Sequence, residues 1–213
     1  MNSIADIRKD YKLKTLSELE IEASPIAQFS KWWHEAIDSR IEEVNAMTLA
    51  TSTTQGKPSA RIVLLKGYND HGFNFFTNYE SHKGEELAIN PQASLVFFWK
   101  ELERQVRIEG IAEKLDTKDN DAYFLSRPTG SQIGAWASPQ SQVIKQREEI
   151  EKNVKKYELE FANININRPA YWGGYRVKPQ LIEFWQGRPN RLHDRIQYSL
   201  EATGKWKIER LAP

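Results

Sequence analysis

Between Met47 and Trp99 the chain carries four short β-prone runs, AMTLATST, ARIVLLKGY, GFNFFTN and ASLVFFW. The connectors QGKPS and NDHG between them are turn-rich and brief. Parallel neighbours need crossovers of about a dozen residues, so these strands cannot all be parallel. A mainly antiparallel sheet, closed into a barrel with helices packed outside it, is the economical solution. The expected class is therefore mainly β with flanking α-helices (α+β).

The rest of the pattern fits that class. Ser24-Pro25 offers an N-cap and a first-turn proline, and Phe29, Trp32, Trp33, Ala36, Ile37 and Ile41 recur at helical spacing. Glu85 to Ala88 predict a short helix ending at Asn90-Pro91. RQVRIEGIAEKL, residues 104–115, alternates like a half-buried strand. Two further helices are expected, DTKDNDAYFLSR before Pro128 and a longer one opened by Ser138-Pro139 with an apolar stripe of Ile150, Val154, Tyr157 and Phe161. FANININRPAYWGGYRV is turn-rich, and QLIEFWQG, RIQYSLE and KWKIERL follow as closing strands. Residues 1–23 are charged and aperiodic, which predicts a mobile or loosely docked arm before one domain over 24–213.

Composition prunes function. Thirty Lys and Arg against 29 Asp and Glu leave a net charge of +1, so any basic site is local, and a nucleic-acid surface is not expected. The absence of cysteine removes thiolate metal sites and Cys nucleophiles and suits a reducing, cytoplasmic setting. No run reaches the roughly 18 apolar residues of a membrane span. GxGxxG, GxxxxGK[ST], HExxH and GxSxG motifs are all missing, and His34, His71, His82 and His193 lack metal-ligand spacing, so no metal site is expected. Seven Trp exceed what an aliphatic core needs, and aromatics can also pave a ligand site.

Basic residues near strand ends carry what chemistry the pattern offers. Arg61 and Lys66 flank the apolar run of ARIVLLKGY, on opposite faces of a buried strand, or as its solvated ends. Thr77, Ser81, His82 and Lys83 gather hydroxyls, cations and a helix N-terminus, as a phosphate monoester needs. Tyr123, Arg127 and Ser131 could hold a second anion if Pro128 ends the helix and Arg127 meets Ser131 in a loop; otherwise Arg127 caps the helix and Ser131 a turn. In IEFWQGRPNRLHDR, a turn at Gly187 to Asn190 is followed by Arg191, His193 and Arg195 alternating on one strand face. Such a row repels itself unless carboxylates or an electron-rich ligand lie against it, and a pocket for a small, planar, anionic ligand is preferred.

That stretch, with ARIVLLKGY, LERQVRIEG, SRPTGSQIGAWASPQS and YWGGYRV, resembles the pyridoxine/pyridoxamine 5′-phosphate oxidase family over the whole chain. The resemblance implies an FMN-binding split β-barrel, a homodimer with FMN at the interface, and oxidation of pyridoxamine 5′-phosphate and pyridoxine 5′-phosphate to pyridoxal 5′-phosphate by hydride transfer to flavin N5, with O2 reduced to hydrogen peroxide. It places FMN contacts on Arg61, Ile62, Val63, Leu64, Leu65, Lys66, Phe76, Thr77, His82, Lys83, Gln105, Gln140, Ser141, Trp185 and Arg195. Substrate contacts fall on Lys66, Tyr123, Arg127 and Ser131 for the phosphate, and on Arg191, Leu192 and His193 beside the ring, with Arg191 and His193 in the catalytic role. Arg8, Lys9, Asp10 and Tyr11 match a segment that folds over the active site in the family. His82 departs from the family's usual arginine, and an imidazole offers no bidentate fork and a charge that depends on pH near neutrality. The competing classes are another FMN split-barrel oxidoreductase, or a flavin or pyridoxal phosphate carrier without turnover.

Overall fold

The computed structural model describes residues 3, 4 and 10–213. Helix α1, Pro25–Asp38, begins as expected: the Ser24 side chain accepts hydrogen bonds from the Ile26 and Ala27 amides. Strands β1 (Ala46–Ser52), β2 (Pro58–Leu64), β3 (Gly67–Asn69) and β4 (Gly72–Asn78) follow, then helix α2 (His82–Ile89) capped by Ser81, and strands β5 (Gln92–Trp99) and β6 (Arg104–Lys114). Helices α3 (Thr117–Ser126), α4 (Thr129–Ala137) and α5 (Glu148–Glu160) precede the closing strands β7 (Trp172–Gln186), β8 (Asp194–Leu200) and β9 (Trp206–Leu211).

Every strand pairing is antiparallel, in the order β2-β1-β5-β6-β7-β4-β3, with β8 on β7 and β9 on β8. Strand β7 makes this a split barrel. It lies along β6 from Tyr175 to Gln186, while its first part pairs with β4 and its last part with β8. The register shifts at Glu109/Gly110, where a bulge re-aims the strand.

The interior is aromatic. Phe29 of α1 is fully buried, with ring centroids 4.9 Å from Phe73 and 5.3 Å from Phe97, and Trp32 meets Phe184 edge-on at 5.2 Å. A second cluster of Phe124, Ile133, Ile166 and Trp172 lies among α3, α4 and the loop before β7, and Val154, Tyr157 and Phe161 of α5 pack on it.

Four expectations change. Pro128 does not leave Arg127 and Ser131 in a loop; it stands at the N-cap of α4, so Ser131 is helical. The long helix starts at Glu148 rather than at Ser138-Pro139, and three glutamates occupy its first turn, where the helix dipole favours them. YWGGYRV is largely strand, because Gly173 and Gly174 pair with Thr77 and Phe76; a Cβ on Gly174 would meet Phe76 at 2.8 Å. Strand β2 is an edge, not a buried strand: Ile62 is 65% exposed.

The arm expected to be loose is tied down over its later residues. Leu16 is buried; Glu103 accepts from the Lys12 and Leu13 amides, and Asp194 from the Leu16 amide. Arg210 holds Glu18 through two nitrogens, and the Tyr198 hydroxyl donates to the Glu22 carbonyl.

Candidate functional site

Strands β2 and β4, helix α2 and the α3–α4 junction enclose a cleft of about 480 Å3. Ile62, Val63, Leu64, Lys66, Phe76, Thr77, Lys83, Tyr123, Arg127, Ser131 and Gln140 all line it. The two anion sites expected from separate stretches of sequence are thus one cavity. Pro128 and Trp172 line it too. Trp172 escaped the sequence reading because its segment was taken as turn; the glycine pair beside it was the available signal.

Aromatic side chains floor the cleft. Phe76 stacks on Tyr123 at 3.8 Å between centroids and on Trp172 at 5.6 Å, and Tyr123 and Trp172 are parallel within 5°. The Arg127 guanidinium sits 4.5 Å from the Trp172 ring centroid. Its Nη1 is buried with no hydrogen-bond partner, and burial depresses the guanidinium's pKa. A buried cationic donor without an acceptor is costly, and an oxyanion would relieve it.

Lys83 forms the second focus. Its ammonium donates to Thr77 Oγ1 at 3.2 Å, Ser81 Oγ at 3.0 Å and Gln140 Oε1 at 3.0 Å. All three acceptors are neutral, so burial, and then the nearby Arg61 charge, pull its pKa down to about 8. Ser81 is also the N-cap of α2, which puts the ammonium beside the positive end of a helix. The group is poised for an anion.

Other expected residues stand back from the cleft. Leu65 is a core side chain, and its amide donates to the Asn45 carbonyl, because the strand has ended and the chain turns inward. Arg61 turns to Thr51 and Ser59, with buried Glu86 3.6 Å from its Nη2. His82 is exposed and lies 3.3 Å from Glu86 rather than in the cleft. Hydrogen bonds from Ser59 and Thr51, with the charges of His82 and Arg61, overcome the effect of burial and keep Glu86 ionised. Ser141 follows Gln140 in a left-handed conformation, exposed beside the cleft.

The remaining residues form a separate wall. Gln105, Trp185 and Arg195 sit side by side across β6, β7 and β8. None of them lines the cleft. Arg191 and His193 do not alternate with Arg195 on one strand face, as the spacing suggested: Pro189–Arg191 forms a 3-10 turn, Asn190 and Arg191 have positive φ, and β8 starts only at Asp194. Arg191 and Leu192 are exposed. The His193 ring instead folds onto Trp185 with centroids 4.5 Å apart. His193 Nδ1 accepts from the Arg188 amide at 3.1 Å, so the neutral ring carries its proton on Nε2. Burial, then the Arg191 charge, lower its pKa.

Tyr11 covers this wall. Its ring is 5.7 Å from Trp185 and 6.1 Å from His193, and it passes so close to Gly187 that a Cβ there would lie 2.6 Å from Tyr11 Cγ. Asp10 is exposed at the start of this segment; Arg8 and Lys9 lie outside the described residues.

Comparison with known proteins agrees with this architecture. A family model described as pyridoxamine 5′-phosphate oxidase matches residues 33–160, and one described as the pyridoxine 5′-phosphate oxidase C-terminal dimerisation region matches 172–213. A pyridoxine/pyridoxamine 5′-phosphate oxidase of Cyanothece sp. is 57% identical over 211 residues, covering 99% of both chains. One from Cupriavidus pinatubonensis is 54% identical over 213 residues, covering 100% of both. Among solved structures, PhzG from Burkholderia lata, in complex with tetrahydrophenazine-1-carboxylic acid, superposes with a TM-score of 0.88 at 30% identity, over 94% of this chain and 99% of that one. An FMN-binding protein of Nostoc punctiforme, 15% identical, shares the fold with a TM-score of 0.71 over 91% of this chain and 100% of its own.

Proposed function

The chain belongs to the pyridoxine/pyridoxamine 5′-phosphate oxidase family, and from that premise we propose that it oxidises pyridoxamine 5′-phosphate and pyridoxine 5′-phosphate to pyridoxal 5′-phosphate, with FMN as cofactor and O2 as electron acceptor. The observation that carries this reading is the pair of uncompensated cations, Lys83 and Arg127, in one aromatic-floored cleft. One phosphate belongs to the cofactor and one to the substrate.

The residues fit both groups. Lys83, with Thr77 and the α2 N-terminus, would hold the FMN phosphate. Arg127, Lys66, Tyr123 and Ser131 would grip the substrate phosphate by charge-assisted bonds and so fix the register of its ring. Bound FMN would supply the hydride acceptor and hand the two electrons to O2, giving hydrogen peroxide. An amine substrate would leave as an imine, which water hydrolyses to aldehyde and ammonia.

The wall completes the site from a second copy of the chain. Trp185, His193 and Arg195 all fall within the matched dimerisation region, and none reaches the cleft of its own chain. A homodimer in which the wall of one protomer closes the cleft of its partner would bring Gln105, Trp185, His193 and Arg195 to the cleft residues. There His193 would present Nε2–H as a donor toward the substrate, Arg191 would steer the exocyclic group, and Tyr11 would keep water out.

The test is the visible spectrum of the purified protein, followed by oxygen uptake with both phosphorylated substrates and with unphosphorylated pyridoxine. A flavin band and uptake only with the phosphate esters support the proposal. Flavin without turnover indicates a carrier, and turnover of a tricyclic carboxylate instead indicates chemistry of the kind suggested by the PhzG likeness.

A further inference from the structure

Glu183 lies in β7 between Phe184, which faces the core, and the outward wall. Its side chain is only 2% exposed, although it belongs to the outer face; two arginines cover it. Arg195 Nε donates to Glu183 Oε1 at 2.7 Å, and Arg107 Nη2 donates to Oε2. Burial would push this carboxyl upward, but the hydrogen bonds and charges of Arg195 and Arg107 more than reverse that, so it is ionised. Arg107 is bonded in turn to Glu109, which makes a closed set of two cations and two anions.

The set fixes one member in a particular way. Arg195 spends Nε on Glu183 and Nη1 on the Ala212 carbonyl at 2.8 Å, so its plane is set by two elements, β7 and the residues after β9. Nη2 has no partner among the described residues. The Arg195 charge is also balanced at 2.7 Å, so toward a ligand it acts as an oriented donor more than as a full charge.

Resting on the reading above that Arg195 meets the flavin, we infer that Glu183 is a positioning residue that aims Arg195 and sets the reduction potential of the bound flavin through it. Reduction places negative charge on the flavin, so an unbalanced guanidinium favours the reduced form and a balanced one favours it less. Glu183 and Arg107 therefore pull the potential in opposite directions.

The experiment measures FMN affinity by fluorescence quenching, and the midpoint potential of bound FMN, for wild type, Glu183→Gln and Arg107→Gln. Glu183→Gln keeps the shape and one acceptor but removes the balancing charge. It should favour reduced over oxidised flavin about tenfold more than wild type does, a rise of about 30 mV for a two-electron couple. Arg107→Gln, at a partly exposed position, leaves Arg195 with a stronger share of Glu183 and should shift the potential the opposite way. Glu183→Asp, which retains the charge, should return the potential toward wild type. Potentials unchanged in both glutamine variants, with only the melting temperature lowered, would overturn the inference and leave Glu183 as scaffold. A wild-type protein that binds no FMN would instead overturn the functional reading beneath it. If Glu183→Gln fails to fold, the sign of the Arg107→Gln shift decides.

Discussion

Among the described residues Lys83 and Arg127 have no counter-charge, and each has a separable consequence. Lys83 has a pKa of about 8 in the fold, below its unfolded value of 10.5, so its buried charge costs stability in full below about pH 8 and the cost is relieved progressively from there up to pH 10.5. Ligand-free Lys83→Met should therefore melt above wild type at about pH 7, and the gap should close only as pH approaches 10.5. FMN binding inverts the sign: the affinity of wild type should fall between those pH values as the ammonium loses its proton, and the Lys83→Met affinity should be low and flat. Arg127→Ala removes charge-assisted bonds worth about 1.5–3 kcal/mol, so kcat/KM for pyridoxamine 5′-phosphate should drop about 10- to 100-fold. FMN affinity, which rests on the Lys83 end of the cleft, should change much less. Much of this was legible in sequence, because hydroxyls and cations beside a helix start have few other uses. The orphaned Nη1 of Arg127 was not, since whether a buried donor finds an acceptor depends on neighbours distant in the chain, here Trp172.

Helix α1 locks the barrel by inserting Phe29 and Trp32 among the strand aromatics, and Phe29→Ala should cost about 3–5 kcal/mol. Chemical denaturation should show a lower midpoint with an unchanged slope. The segment bearing Tyr11 is an element of another sort, fastened by Glu103, Asp194 and Arg210 with a single buried apolar side chain, Leu16, beside them. Gly187→Ala thrusts a methyl into Tyr11; KM should rise and the chain before Leu16 should become open to limited proteolysis, while the melting temperature stays near wild type. Periodicity revealed α1 and the first strands because they bury one face. It failed for this segment, whose anchors are backbone amides that no side-chain pattern records. It also failed for α4, where Pro128 reads equally as a stop for one helix or the start of the next, and at Arg191, where two left-handed residues break the period of two.

At the scale of the molecule, one chain holds a cleft and a wall that do not meet, and in the proposed dimer the two become one site. Phe98 is 53% exposed and pairs in register with Gln105, beside Trp185. A charge there, Phe98→Glu, should yield a monomer by size-exclusion chromatography and a protein that no longer retains flavin; a dimer that stays yellow would place the interface elsewhere. The antiparallel barrel was legible from connector lengths alone, whereas the division of IEFWQGRPNRLHDR from the Lys83 cleft was not, because sequence spacing does not reveal which copy of the chain a residue serves. In the proposed reaction, cleft and wall together would carry electrons from a phosphorylated pyridine to a flavin. Anaerobic titration of the FMN-loaded protein with pyridoxamine 5′-phosphate tests it most directly. One equivalent should bleach the flavin's visible band and yield an equal amount of pyridoxal 5′-phosphate; an unbleached flavin with substrate bound would rule that transfer out.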